Sequence, residues 1–203
     1  MQRVVAYIDG YNLYYGLRSK GWKYFYWLDL RALALNLIKP WQTLITTKYF
    51  TTKVSNPPDK MRRQNTFLEA LSTLPDFYIY YGNYQAESIT CRNCGYTYTT
   101  YHEKMTDVNI ATEMLFDAFS DHFDTALLIS ADSDLVGPVQ KVKQLFPEKR
   151  VVLVFPPARH SVALGKASDA CLHLSPSILS KSLFPDKVTK PDGFVLQRPE
   201  EWH

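Results

Sequence analysis

Leu127 to Pro138 reads LLISADSDLVGP: an apolar run stops, and two carboxylates follow with one residue between them. An apolar run of this length, closed by polar residues, is the pattern of a buried strand. Asp132 and Asp134 therefore fall just past a strand end. Two like charges that close repel one another. They are either turn and cap residues or two arms of a cation site. Asp134, standing before LVGP, is a good helix N-cap in its own right. Two more aspartates have a related placement. Asp9 closes the apolar run VVAYID ahead of Gly10, where a turn residue is equally at home. Asp107 sits in the first turn of TDVNIATEMLFDAF, where the helix dipole favours an acid anyway. Carboxylates gathered on one point need a cation, and oxygen-only ligands suit Mg²⁺ or Mn²⁺. Such an ion activates a water and stabilises the leaving oxygen of a phosphodiester. No Gly-rich phosphate loop follows any strand, so nucleic-acid hydrolysis fits better than nucleoside triphosphate binding.

The elements that must bring these acids together alternate along the chain. VVAYID is a strand, Tyr11 to Arg18 a turn or two of helix, and LDLRALALNLIKP a helix with Asp29 as N-cap and Pro40 at its end. TLITTKYF is the second strand and KMRRQNTFLEALSTL an amphipathic helix with Phe67, Leu68, Leu71 and Leu74 at helical spacing. FYIYYG is the third strand. The helix TDVNIATEMLFDAF has Thr106 as N-cap and Val108, Ala111, Leu115 and Phe119 facing one way. TALLIS is the fourth strand. DLVGPVQKVKQLF is a helix carrying Gly137 and Pro138 in its first turns, RVVLVF the fifth strand, SVALGKASD a short helix and ACLHLS a sixth strand. This alternation predicts an α/β fold with a mostly parallel sheet covered on both faces. In such a sheet ligands bind at the carboxyl ends of strands, near the switch in strand order. Asp9, Asp132 and Asp134 all belong to that rim, and Asp107 joins them if its helix starts there.

The 203 residues are enough for one such domain, expected over residues 1–180; the proline-bearing stretch 181–203 reads as an extended tail. Hydrophobic residues make up 46% and charged residues 21%, which is globular composition. The net charge of +3 is mildly basic and does not by itself demand a nucleic-acid partner. The 14 Tyr and 11 Phe pack cores or stack on unpaired bases. No apolar run is long enough to cross a bilayer and the N-terminus lacks a signal-peptide build, so a soluble, cytoplasmic protein is expected. Three cysteines make no disulfide framework.

Residues 84–103 break the pattern as an excursion from the core. CRNCG, Cys91 to Gly95, has the build of a zinc knuckle, with His102 as a candidate third ligand. A structural zinc takes four, so Cys171, His173, His160, His122 or a second chain would have to supply the rest; free thiols or a redox pair are the alternatives. Tyr96, Tyr98 and Tyr101 are placed to form a wall of a nucleic-acid groove. Lys60, Arg63 and Gln64 share a helix face, either contacting phosphate or simply solvated.

YIDGYNLYYG, EKMTDVNIATEML and LLISADSDLVGPVQ, in this order and spacing, resemble NYN-domain proteins of the LabA-like branch in the PIN-like nuclease superfamily, over about Val4 to about Leu174. The resemblance implies a Rossmann-like three-layer α/β/α sandwich and an acidic, Mg²⁺- or Mn²⁺-dependent ribonuclease site. On this chain it implies Asp9, Asp107, Asp132 and Asp134 as metal ligands, with Asn12 on the scissile phosphate or holding Asp9. Ser130 and Ser133 would be supporting hydroxyls, and Lys104 would neutralise phosphate or pair with an aspartate. The expected partner is single-stranded or structured RNA, cut to leave a 5′-phosphate, and a homodimer is compatible with the sequence. A non-catalytic RNA-binding module and a small-molecule phosphohydrolase are the competing readings.

Overall fold

Strand β1 (Gln2–Asp9) sends Val4, Ala6 and Ile8 to one side and Val5 and Tyr7 to the other, and all five are buried. A strand apolar on both faces needs a layer on each side. The computed structural model describes the backbone of residues 1–203 and every side chain except those of 84–87 and 100–103. After β1 come α1 (Gly10–Ser19), α2 (Leu30–Leu35), β2 (Gln42–Thr51), α3 (Pro58–Leu71) and β3 (Phe77–Tyr81). A hairpin follows, β4 (Asn83–Thr90) and β5 (Thr97–Lys104), then α4 (Thr106–Phe119) and β6 (Thr125–Ile129). The chain continues through α5 (Val136–Leu145), β7 (Arg150–Phe155), α6 (Val162–Ala167), β8 (Ala170–His173) and α7 (Pro176–Ser180), and ends with β9 (Lys187–Thr189) and β10 (Val195–Gln197).

Six strands form one sheet in the order β3-β2-β1-β6-β7-β8, parallel throughout. The expected parallel α/β sandwich is the observed architecture. One core lies under α1, α2 and α3, from Leu13, Leu17, Leu33, Leu68 and Leu71 against Val4, Ala6 and Ile8. The other lies under α4, α5 and α6, from Ile110, Met114, Val139 and Leu164 against Val5, Leu128 and Leu153. The excursion at 84–103 is an antiparallel hairpin outside the main sheet. Among the described residues no helix is long and apolar enough to cross a membrane.

Helix α4 is rotated from the orientation its hydrophobic residues suggest. Val108 and Phe119 are 61% and 79% exposed, while Ile110, Met114, Asp117 and Ala118 are buried. The reason is electrostatic. Lys48, on β2 and only 7% exposed, places Nζ 2.7 Å from Glu113 Oε2 and 2.7 Å from Asp117 Oδ2. Tyr7 OH donates to Asp117 Oδ2 at 2.5 Å, and Tyr80 OH donates to Glu113 Oε2 at 2.9 Å. Burial alone would lower the Lys48 pKa, but the two carboxylates hold it above the usual lysine value. Three strands thus grip one helix, β2 through a buried cation and β1 and β3 through tyrosine hydroxyls, and a buried charge must stay paired.

Two expected caps are displaced by one or two positions. Met105, with φ of +81°, holds the N-cap position of α4 and Thr106 is its first residue. Asp132, rather than Asp134, caps the turn after β6, its Oδ1 accepting from Asp134 N at 3.0 Å. Helix α2 stops at Leu35, short of Pro40, but Asp29 caps it as expected. Residues 181–203 are not an extended tail: Phe184, Val188 and Leu196 join the core, and Trp202 packs on Trp27 and Phe67. Buried Arg198 fastens the stretch, donating to Tyr24 O at 2.6 Å and to Trp202 O.

Replacing Lys48 by Ala strands Glu113 and Asp117. We expect a loss of about 3 kcal/mol or more, read from the midpoint and slope of denaturant unfolding. A loss under about 1 kcal/mol would mean that the buried network does not hold α4 on the sheet.

Candidate functional site

The strand order reverses at β1: β2 and β3 lie to one side of it, β6 to β8 to the other. Ile8 is in register with Ile129, so the next residues, Asp9 and Ser130, meet at the carboxyl rim. Ser130 Oγ donates to Asp9 Oδ2 at 2.8 Å. Asn12 contributes its backbone N–H to Asp9 Oδ1 at 3.0 Å and its side-chain amide to Oδ2 at 2.7 Å. Asp9 is 1% exposed and caps α1 through the first of these bonds. Burial pushes its pKa above the ordinary aspartate value. The three donors pull it back, and the charge of Asp132 pushes it up again.

Ser130 Oγ also accepts from the backbone N–H of Asp132 at 3.1 Å. One hydroxyl therefore locks Asp9 to the loop that carries the other acids. Asp107 arrives from the first turn of α4, the helix gripped by Lys48. Each of Asp107, Asp132 and Asp134 offers a carboxylate oxygen lying within 4.8 Å of the other two. Asp107 and Asp132 are half-buried and Asp134 is exposed. At that spacing each ionised pair repels by about 1 kcal/mol even in bulk water. Among the described residues no lysine or arginine forms an ion pair with Asp132 or Asp134. Three hard oxygens converging on one point, with room for waters on the exposed side, suit a divalent cation. Asp9 stands behind this trio rather than within it.

The other expected residues are distributed unevenly. Ser133 is exposed in the turn between Asp132 and Asp134, and Lys104 is exposed at the end of β5, three residues before Asp107. Lys60 and Arg63 lie on α3, across the sheet from α4. Arg63 is committed to two carboxylates, Nη2 at 2.7 Å from Asp59 and Nη1 at 2.6 Å from Glu201. Cys91 and Cys94 are free thiols at the hairpin tip. The backbone N–H groups of Asn93 and Cys94, then the Cys94 thiol, hold Cys91 below the ordinary thiol value. The side chains of His102 and Tyr101 lie outside the described residues. The backbone register pairs His102 with Gln85 and Thr97 with Thr90. That sets His102 roughly 17 Å along the strand from the cysteine loop, at about 3.4 Å per residue. His160 and His173 stack at the other end of the sheet on Phe155. Among the described residues no group of three metal-ligating side chains includes a cysteine.

Sequence reasoning missed Lys48, Glu113 and Asp117, which position Asp107 from below. The signal was present as a charged pair four residues apart on α4, one member inside an otherwise apolar stripe.

The geometry agrees with comparison to known proteins. The NYN domain matches residues 3–175. The chain belongs to the NYN domain family. The NYN match spans every strand of the main sheet and all four acids. A curated relative, 6-hydroxy-3-succinoylpyridine 3-monooxygenase HspA of Pseudomonas putida, is 28% identical over 176 residues. That covers 70% of this chain and 55% of the relative, so the chain spans about half the length of the curated relative it matches. A crystal structure of a protein of unknown function from Vibrio parahaemolyticus superposes with a TM-score of 0.58 at 17% identity. It covers 90% of this chain and 96% of that one, and shows a shared fold. Membership of the NYN family points to a PIN-like nuclease, and the acidic trio provides a place for a divalent metal.

Ser130→Ala removes a donor from a buried carboxylate, so the Asp9 pKa rises further. The variant should lose about 2 kcal/mol where Asp9 is ionised in the wild type. As pH falls through the Asp9 titration both proteins protonate there, and the difference closes. Unfolding midpoints compared at about pH 8 and about pH 4 test this; a gap that stays constant contradicts the clasp.

Proposed function

We propose that this chain is a Mg²⁺- or Mn²⁺-dependent endoribonuclease of the NYN family, in its LabA-like branch. The observation that carries the reading is the trio Asp107, Asp132 and Asp134, gathered within 4.8 Å at the carboxyl rim of a parallel sheet beside its change of direction. Family membership supports the nuclease class, and the three NYN-like motifs support the branch.

In this reading the trio holds the ion. When bound, the ion neutralises phosphate oxygens and makes water a stronger nucleophile. Asp134, the most exposed of the three, orients the attacking water in line with the scissile bond. Asp9 acts from behind: its buried charge raises the affinity of the rim for a cation and fixes Ser130, hence the Asp132 backbone. Asn12 holds Asp9 with its backbone and side-chain N–H groups, fixing the carboxylate that would add negative charge behind a bound ion. Lys104 meets the strand's phosphate from the hairpin side. The relative that acts on a hydroxysuccinoylpyridine by name raises a small aromatic substrate as a second class. An aromatic-lined cavity near Gly10 is compatible with it.

Single-stranded RNA incubated with Mn²⁺ should be cut by the wild type, and Asp132→Asn or Asp107→Asn should lower the rate at least 100-fold. Cleavage surviving in both variants would remove the site. Independently, Mn²⁺ at about 100 times its dissociation constant should stabilise the wild type by about 2.7 kcal/mol. That is a rise of about 5–10 °C in Tm for a chain of this size, and the rise should vanish in Asp132→Asn. RNA binding with no cleavage in any metal would favour a binding module.

A further inference from the structure

Helix α1 serves two places. Its first residue follows Asp9; its middle faces a cavity on the opposite side of the sheet from α4. The cavity is half open, of about 490 Å³, within the range of small-ligand sites. Its walls are aromatic: Tyr14, Tyr26, Tyr49, Phe67 and Trp202. Tyr26 meets Tyr14 at 5.1 Å between centroids and Trp202 edge-on at 5.8 Å, while Phe67 meets Trp202 edge-on at 6.2 Å. Tyr49 closes the floor, and its hydroxyl pKa is pushed up to about 12, chiefly by burial.

The rim is positive. Arg18, Lys23, Lys60 and Arg63 line it against a single acid, Glu201. Glu201 is matched by Arg63 at 2.6 Å, which leaves Arg18, Lys23 and Lys60 with no ion pair among the described residues. An aromatic slot under a ring of unmatched cations fits a flat, anionic, aromatic molecule better than a neutral one. Its end nearest the acids is lined by Gly10 and Tyr11, the two residues after Asp9. Gly10 is pressed so tightly against β2 that a Cβ would stand 2.6 Å from Phe50 O and 2.8 Å from the Tyr49 ring, so the residue after Asp9 lies directly on the Tyr49 floor of the cavity.

We propose that this cavity receives one unpaired nucleobase of the RNA strand, stacked among Tyr14, Tyr26 and Trp202, with its phosphates led across the α1 N-terminus toward the acidic trio. The inference rests on the nuclease reading and narrows its substrate to strands with an unstacked nucleotide at the cut, since a base held in a duplex has no free face to offer. The C-terminal stretch, through Trp202, is then part of the substrate site.

The test uses full-length Asp132→Asn protein without added metal, so that binding is read apart from cleavage. Tyr14 is 40% exposed, and its removal leaves the core intact. Tyr14→Ala should weaken a labelled single-stranded RNA by about 5- to 100-fold, and Lys60→Glu should also weaken it, with duplex affinity changing less than twofold in both. Adenosine and uridine 5′-monophosphates should compete for the strand in the parent protein and not in Tyr14→Ala. Unchanged single-strand affinity in both variants, or equal losses for duplex, overturns the proposal. So does a cavity that takes a neutral substituted pyridine and ignores the nucleotides. A wild type that cuts RNA while Tyr14→Ala binds normally loses this inference and keeps the nuclease reading. A protein that binds nucleotides here and never cuts does the reverse.

Discussion

The bond from Ser130 Oγ to the Asp9 carboxylate joins the two strands between which the sheet changes direction. The start of α1 and the loop bearing Asp132 both hang from it. Asp9 is the end of β1 and the cap of α1; Ser130 is the end of β6 and the anchor of the Asp132 backbone. A carboxylate buried to this degree survives only with its lone pairs filled, and Ser130 and Asn12 fill them. The cost of burial is offset locally, and the charge is left facing the place where Asp132 points. Repulsion among the acids is thereby retained in the folded chain as concentrated negative charge at the rim.

The second anchor lies deeper. Asp107 is carried by a helix, and a helix on a sheet is free to rotate unless something other than apolar packing sets its angle. Lys48, Glu113 and Asp117 do this with three charges, and Tyr7 and Tyr80 add hydroxyls that reward a single orientation. Apolar contacts tolerate slippage; a buried cation between two carboxylates does not. The exposed Val108 and Phe119 are the visible consequence.

Much of this was legible from residue order. The strands end on the acids because a buried parallel strand reads as an unbroken apolar run, and the residue that breaks it must lie at the rim. Asp9, Asp132 and Asp134 were found that way. The rest depended on long-range partners. Asp132 displaced Asp134 as the cap because the loop is pinned by Ser130, itself held by Asp9 from the neighbouring strand. The α4 face was misjudged because its inward stripe contains Asp117, which makes sense only beside Lys48 about 70 residues earlier. Arg63 looked free for phosphate until Glu201 folded back onto it. The prolines of 181–203 suggested extension, yet Trp202 and Arg198 return the stretch to the body. Composition reports that such aromatics exist and leaves open what they cover.

The hairpin of β4 and β5 enters and leaves the fold through single-residue joints, Gly82 on one side and Met105 on the other. Met105 is held in a left-handed conformation that few side chains adopt, so the joint is short and stiff. Two strands of eight residues each make an arm of about 27 Å. Its far end carries the two free thiols and the stacked Tyr96 and Tyr98; its near end runs through Met105 into the first turn of α4, which bears Asp107. A single left-handed residue therefore sets the direction in which the hairpin leaves the helix that carries Asp107.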